Sequence, residues 1–226
     1  MKIIGFSSGA GGRECNTDRM VKAILDKSQA ETEFVKLTDL TYSGCKACVH
    51  LCAEPQVCVL EDDLLPYYQE LKDADAVVLG SSVYFGAINA TMTAFIERFF
   101  GYRHVTCVIQ KKPFVLVSSG GGENVEGVAA HFREMLRPFG VKILDMIQYR
   151  SGIPPCFSCG RHQECSIGGL YGAIGKAAHT MEVKPEHFRQ WESLPDMEAA
   201  IKTAGEKLRS LAGPSTTSSE HLGVTS

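Results

Sequence analysis

Two hydrophobic periods take turns along this chain. Short apolar runs ending in small residues predict buried strands over "KIIGFSS" (2–8), "TEFVKL" (32–37), "DAVVLGSSVYFG" (75–86), "PFVLVSSGGGEN" (113–124) and "VKILDMIQYRSG" (141–152). Stretches of helical period follow them. "NTDRMVKAILDKS" (16–28), with Asn16 or Thr17 as its cap, turns Met20, Ala23 and Ile24 inward. "DDLLPYYQELKDA" (62–74) is begun by Asp62 or Asp63 and holds Pro66 in its first turn, where proline is tolerated. "NATMTAFIERFFG" (89–101) gathers Met92, Phe95, Ile96 and Phe99 on one side, as core first and as a candidate interface second. "VEGVAAHFREMLRPFG" (125–140) is closed by Gly140, and "LPDMEAAIKTAGEKLRSLAG" (194–213) repeats Met197, Ile201, Ala204 and Leu208 at helical spacing.

Strand and helix alternate throughout, which argues for an α/β fold: an open, doubly wound parallel sheet of five strands in the order 2-1-3-4-5. No repeat or linker divides the chain. Residues 1–212 read as one domain with cysteine-rich loops at 44–61 and 152–170, and the polar tail 213–226 is expected to be disordered.

Composition narrows the partners. Of 226 residues, 44% are hydrophobic and 22% charged, and the net charge is −3, which speaks for neither nucleic acid nor an anionic membrane. No apolar run approaches the ~20 residues that span a bilayer. "MKIIGFSSGAGG" turns glycine-rich too early for a secretion signal, so a cytoplasmic location is expected. In that reducing compartment nine cysteines read as metal ligands or redox groups rather than a disulfide framework.

Loops that follow parallel strands share the carboxyl edge of a sheet, where ligands bind. "SSGAGGRECNT" offers the hydroxyls of Ser7, Ser8 and Thr17, the amide of Asn16 and the cation of Arg13 before a helix N-terminus, the chemistry of a phosphate cradle. It lacks both the triphosphate P-loop and the full dinucleotide fingerprint, and a plain strand-to-helix turn remains its rival. In "SSVYFGAIN" small residues let a flat ring approach the backbone, and Tyr84 and Phe85 can border it or belong to the core. "SSGGG" (118–122) would wall the other side.

Two cysteine groups punctuate the chain. Cys45, Cys48, Cys52 and Cys58 are spaced C-x2-C-x3-C-x5-C, one residue looser before the third cysteine than ferredoxin spacing. Four thiolates so close repel one another unless cations bind them. A [4Fe-4S] cluster, zinc and unligated thiols all remain open here. Cys156, Cys159 and Cys165 form the second group, with His162, Cys15 or water as a fourth ligand. A second Fe–S cluster, zinc, or a Cys156–Cys159 redox pair are its readings. Cys107 precedes the fourth strand and is a poor candidate. His104 and His131 read as structural or solvated, and Trp191 as packing ahead of the last helix.

"FSSGAGGRECNTDRM", "DAVVLGSSVYFGAINATMTAFIERF" and "VLVSSGGG", with the cysteine loop and "EDDL" among them, resemble the NADPH-dependent FMN reductases of the flavodoxin-like fold. Within that group they resemble the iron–sulfur flavoproteins of anaerobic archaea and bacteria. The resemblance covers about residues 1–150. It implies FMN, with its phosphate at Ser7, Ser8, Arg13, Asn16 and Thr17. It places the ring at Ser82, Val83, Tyr84, Phe85 and Gly86 and at Ser118, Gly120 and Gly121. It further implies a redox protein that moves electrons between a ferredoxin-like donor and FMN. A plain NAD(P)H-dependent FMN or quinone reductase is the alternative, and a non-enzymatic carrier a third reading. Homodimers or homotetramers that bring a cluster near the partner's flavin are also implied. No catalytic acid or base stands out.

Overall fold

The computed structural model describes residues 1–12, 14–120 and 125–212. Arg13, Gly121 and the tail 213–226, all named above, lie outside the described residues.

In chain order the elements are β1 (Lys2–Ser8), α1 (Asn16–Ser28), β2 (Glu31–Lys36), α2 (Val49–Cys52), α3 (Leu65–Asp73), β3 (Ala76–Tyr84), β4 (Ala87–Ile88), α4 (Ala90–Glu97), β5 (Pro113–Gly120), α5 (Val125–Leu136), β6 (Lys142–Arg150), α6 (Cys156–Cys159), α7 (Gly169–Ile174) and α8 (Pro195–Arg209). A 3₁₀ turn, Arg98–Tyr102, continues α4. The long strands lie parallel in the order β2-β1-β3-β5-β6. With β5 and β6 as the fourth and fifth strands read from the sequence, this is the flavodoxin-like arrangement expected.

β1, β3 and β5 are covered on both faces, which is why their sequences are nearly continuous apolar runs. The period-2 alternation of side chains still sorts them. Ile4, Phe6, Val77, Leu79, Phe114 and Leu116 meet Tyr68 of α3, Met92 and Phe95 of α4 and Phe132 of α5. Ile3, Val78, Val115 and Val117 meet Met20 and Ile24 of α1 and Ile201 and Leu208 of α8. Each such side chain, fully buried, contributes about 1.5–3 kcal/mol relative to exposure. Trp191 is buried in this second layer, ahead of α8. Phe95, Ile96 and Phe99 are wholly spent on the core, leaving Phe100 as the exposed aromatic of that stretch.

Three local features differ from the sequence reading. The cap of α1 is Cys15, neither Asn16 nor Thr17, because Asp18 reaches back to accept from the Cys15 N–H at 3.0 Å. α3 starts at Leu65, because Asp62 and Asp63 are engaged elsewhere. Asp62 accepts from Leu64 N–H and from Arg98, and Asp63 accepts from Thr41 N–H at 2.7 Å. Finally, β3 turns back on itself through Phe85 and Gly86 to form the two-residue β4. Both turn residues have positive φ, 51° and 75°, the twist that a two-residue hairpin turn requires.

Candidate functional site

The carboxyl ends of β1, β3 and β5 form one rim. Asn89 ties it together: its Nδ2 donates to Ser8 O at 2.6 Å, its backbone N–H donates to Ser81 Oγ, and its Oδ1 caps α4 by accepting from Met92 N–H at 3.0 Å. Thr17 Oγ1 and Ser82 Oγ lie 3.3 Å apart, joining the first loop to the third. Ser8 Oγ bonds Ser81 Oγ and Gly80 O, and Ser7 Oγ donates to Asp18 Oδ1 at 2.6 Å. Both serine side chains are therefore spent internally. Asp18 is buried beneath the loop and is neutralised by Lys36 at 2.8 Å. Asn16 donates to Arg189 O across 173 residues, so the segment before α8 borders the first loop.

Beside this loop opens a cavity of about 460 Å³ lined by Gly12, Glu14, Asp18, Lys22, Phe34, Lys36 and Asp39. Among the described residues its lining holds three carboxylates and two ammonium groups. The rim between β3 and β5 carries the exposed rings. Phe85 projects wholly into solvent, 108% exposed, from a backbone conformation that aromatic residues rarely adopt. Tyr84 beside it is 54% exposed, so neither ring is core. On the opposite wall Ser118 Oγ is buried and, among the described residues, has no hydrogen-bond partner. A Cβ on Gly120 would sit 2.7 Å from Val83 Cβ, so glycine alone fits there. An exposed aromatic pair beside an orphaned hydroxyl suits a flat heterocycle such as a flavin ring.

The four-cysteine loop leaves that rim. It runs along α4: Tyr42 donates to Thr91 O, Cys45 N–H donates to Glu97, and Arg98 reaches Ser43 O. The second half packs on the 3₁₀ turn at the far end of α4. There a Cβ on Gly101 would lie 2.7 Å from Cys58 N. The sequence reading put all the unusual loops on one edge. The structure carries these thiols a helix length away, about 12 Å at 1.5 Å per residue.

Arg98 explains why. Its side chain is buried, its Nε donates to Cys58 Sγ at 2.8 Å, and its Nη1 donates to Asp62 at 2.6 Å. Burial works against the guanidinium charge, but Asp62, Tyr68 and Cys58 more than offset it, so the group stays charged. Cys52 Sγ lies 3.1 Å from His104 Nε2. Burial pushes the Cys52 thiol up, and the neighbouring Cys48, Cys58 and Cys45 push it the same way. The other three sulfurs thus act electrostatically on that of Cys52, although among the described residues no three His, Cys, Asp or Glu side chains are already closed into a metal cage. A set of four soft thiolate donors with one fixed cation fits an iron–sulfur group. Arg98 and His104 went unrecognised in the sequence. The one signal was an arginine amid the apolar "FIERFF".

Cys156, Cys159 and Cys165 sit in the segment between β6 and α8, with Cys156 and Cys159 at the two ends of α6. Cys15 lies against Gly9 and Asp18 in the first loop, and Cys107 donates to Phe139 O. His131 is in α5, with Nδ1 buried and unpartnered. Among the described residues no helix is long and apolar enough to cross a membrane.

The family model "NADPH-dependent FMN reductase" matches residues 1–153. An iron–sulfur flavoprotein of Methanocaldococcus jannaschii is 36% identical over 101 residues, 43% of this chain and 51% of the relative. One of Methanosarcina thermophila is 28% identical over 127 residues, 55% and 65% respectively. The chain thus spans about half to two thirds of these curated relatives. Among solved structures, a flavone reductase superposes with TM-score 0.55 at 14% identity, covering 94% of this chain and 65% of the other. An NAD(P)H:quinone oxidoreductase from Methanothermobacter marburgensis gives 0.54 at 15% identity, covering 94% and 97%. These two likenesses establish the fold.

Proposed function

The chain belongs to the NADPH-dependent FMN reductase family, and on that premise we propose that it is an iron–sulfur flavoprotein. In this reading it is an FMN-dependent oxidoreductase that takes electrons from a one-electron, ferredoxin-like donor and delivers them to an acceptor. The single observation that carries this is the placement of α4. Its first turn is capped by the rim residue Asn89, and its far end bears Glu97 and Arg98, which hold Cys45 and Cys58.

The chain's own residues have distinct tasks. Tyr84 and Phe85 present ring faces at the rim, Ser118 Oγ has a hydrogen bond to give, and Gly120 lets Val83 pack against its backbone. In this reading the phosphate end of FMN lies at Asn16, Thr17 and the start of α1, where a helix N-terminus favours an anion. Arg98 holds one sulfur and keeps positive charge beside it. When bound, FMN supplies two-electron exchange with a hydride donor and an iron–sulfur cluster one-electron exchange. A homo-oligomer would shorten the path between thiols and flavin by bringing the far end of α4 to a neighbouring rim.

The experiment is iron, acid-labile sulfide and flavin analysis of protein purified without oxygen, with single serine variants of Cys45, Cys48, Cys52 and Cys58. Iron and sulfide with flavin, lost in these variants, support the reading. Flavin without iron or sulfide, with NADPH-driven turnover of a dye, would instead support the plain FMN or quinone reductase reading, to which the family's description points.

A further inference from the structure

Residues between β6 and α8 contain no strand, and their own core is small: Cys156, Leu170 and Ala178 are its buried members, with Phe157, Tyr171 and Met181 packed around them. A core of that size does not hold some forty residues in place without a covalent or metal staple. All nine cysteines are free, so no disulfide does it.

The side chains present define the staple. Cys156 Sγ accepts from Leu170 N–H at 3.4 Å and Cys165 Sγ from Gly168 N–H at 3.2 Å. Both sulfurs converge: a Cβ on Gly168 would lie 2.8 Å from one and 3.2 Å from the other. Cys159 is three residues along α6 from Cys156, the spacing that puts two side chains on one face. Between Cys159 and Cys165 stands His162, only 7% exposed. Its Nε2 lies 2.8 Å from Met181 O. A carbonyl can only accept, so Nε2 carries the proton and the lone pair of the neutral ring is left on Nδ1. That Nδ1 is buried and has no partner. A backbone carbonyl fixing the distal nitrogen is the usual way a metal-binding imidazole is oriented.

We infer that Cys156, Cys159, His162 and Cys165, which are not already closed into a cage, come together around a metal as a structural zinc site of the Cys3His type. Three sulfurs and one nitrogen make the closed tetrahedral donor set that zinc takes in such sites, and the two backbone N–H groups offset part of the thiolate charge. Zinc has no redox chemistry, so this centre staples rather than conducts. What it staples is adjacent to the proposed flavin site. The same segment ends at Arg189, whose carbonyl holds Asn16, and at Glu192, which pairs with Arg19 of α1 at 2.5 Å.

The test uses the full chain with Cys45, Cys48, Cys52 and Cys58 replaced by serine, so that only the second group can bind tightly. Made metal-free, it is titrated with Zn²⁺ against a chromogenic chelator and separately with Co²⁺. We expect about one tight Zn²⁺ per chain, a tetrahedral cobalt–thiolate spectrum, and affinity at least about tenfold weaker in His162→Ala and Cys165→Ser, with Cys107→Ser unchanged. Should that background not fold, elemental analysis of the otherwise native chain and its His162→Ala variant serves instead, with zinc lost from the variant while its flavin and iron absorption persist. Zinc binding indifferent to His162 and Cys165 overturns the site, and so does iron with labile sulfide at Cys156 and Cys165. Neither result bears on the first cysteine group.

Discussion

Arg98 Nε and Cys58 Sγ lie 2.8 Å apart, joined across 40 residues of sequence in a buried contact. The same guanidinium bonds Asp62 twice, at 2.6 and 3.2 Å. Arg98→Gln leaves Asp62 and Cys58 without their cation. Breaking a buried ion pair from one side costs about 3–5 kcal/mol, and Asp62, partly exposed, places this case near the lower end. Urea unfolding of the metal-free protein should show that loss. Removing a positive charge from beside a sulfur ligand should also lower the reduction potential of a centre bound there. Arg98→Lys, which keeps the charge but not the planar fork, should fall between. An unchanged potential in Arg98→Gln would mean that Cys58 holds no redox centre.

Gly101→Ala should damage the same region by a different route. The added methyl would meet Cys58 N at 2.7 Å and Val57 C at 2.9 Å, and backbone atoms there cannot swing aside as a side chain could. Overpacking of this kind costs about 1–3 kcal/mol. The expected result is a lower melting temperature, with less iron retained per chain than in the native protein.

The residues differ in how openly the sequence declares them. Strands β1, β3 and β5 were plain because burial on both faces leaves little except apolar residues. The spacing of both cysteine groups was equally plain. Path and partners were not. The cysteine loop descends α4 because of contacts from Thr91, Glu97 and Arg98, and no local pattern in 44–58 encodes them. His104 matters through a contact with Cys52 spanning 52 residues. β4 was hidden because its turn uses phenylalanine where glycine, asparagine or aspartate is the usual signal. The role of His162 depends on which nitrogen Met181 O occupies, and spacing says nothing about that.

Phe85 joins complete exposure to a φ of 51°, so it stabilises nothing in the free protein and strains the backbone. Phe85→Gly should therefore raise the stability of the flavin-free protein, by about 1 kcal/mol if the strain is relieved. The same substitution should weaken FMN binding, since stacking of a heterocycle on an aromatic side chain contributes about 1–3 kcal/mol, roughly tenfold to a hundredfold in affinity. Thermal melts of flavin-free protein and fluorescence titration with FMN read the two effects separately. FMN affinity unchanged in the variant would remove Phe85 from the site.

Ser118 divides stability from binding in the same way, from inside the protein. Its hydroxyl is buried and unpartnered, while the backbone around it pairs with Ser81 and Gln148 in the sheet. A buried hydroxyl without a bond costs about 1–3 kcal/mol in desolvation, and alanine removes that cost while leaving a small void. Ser118→Ala should leave the flavin-free protein as stable as the native chain or up to about 1 kcal/mol more so. A lost flavin contact should appear only when FMN is present, as an affinity lower by a factor of about ten for one buried hydrogen bond. Denaturant unfolding with and without excess FMN measures both in one experiment, because a ligand that binds only the native state raises its stability in proportion to RT ln(1 + [L]/Kd). The FMN-induced gain should shrink in Ser118→Ala by about 1.4 kcal/mol at saturating flavin. A gain equal to that of the native chain would show that the hydroxyl faces no ligand atom.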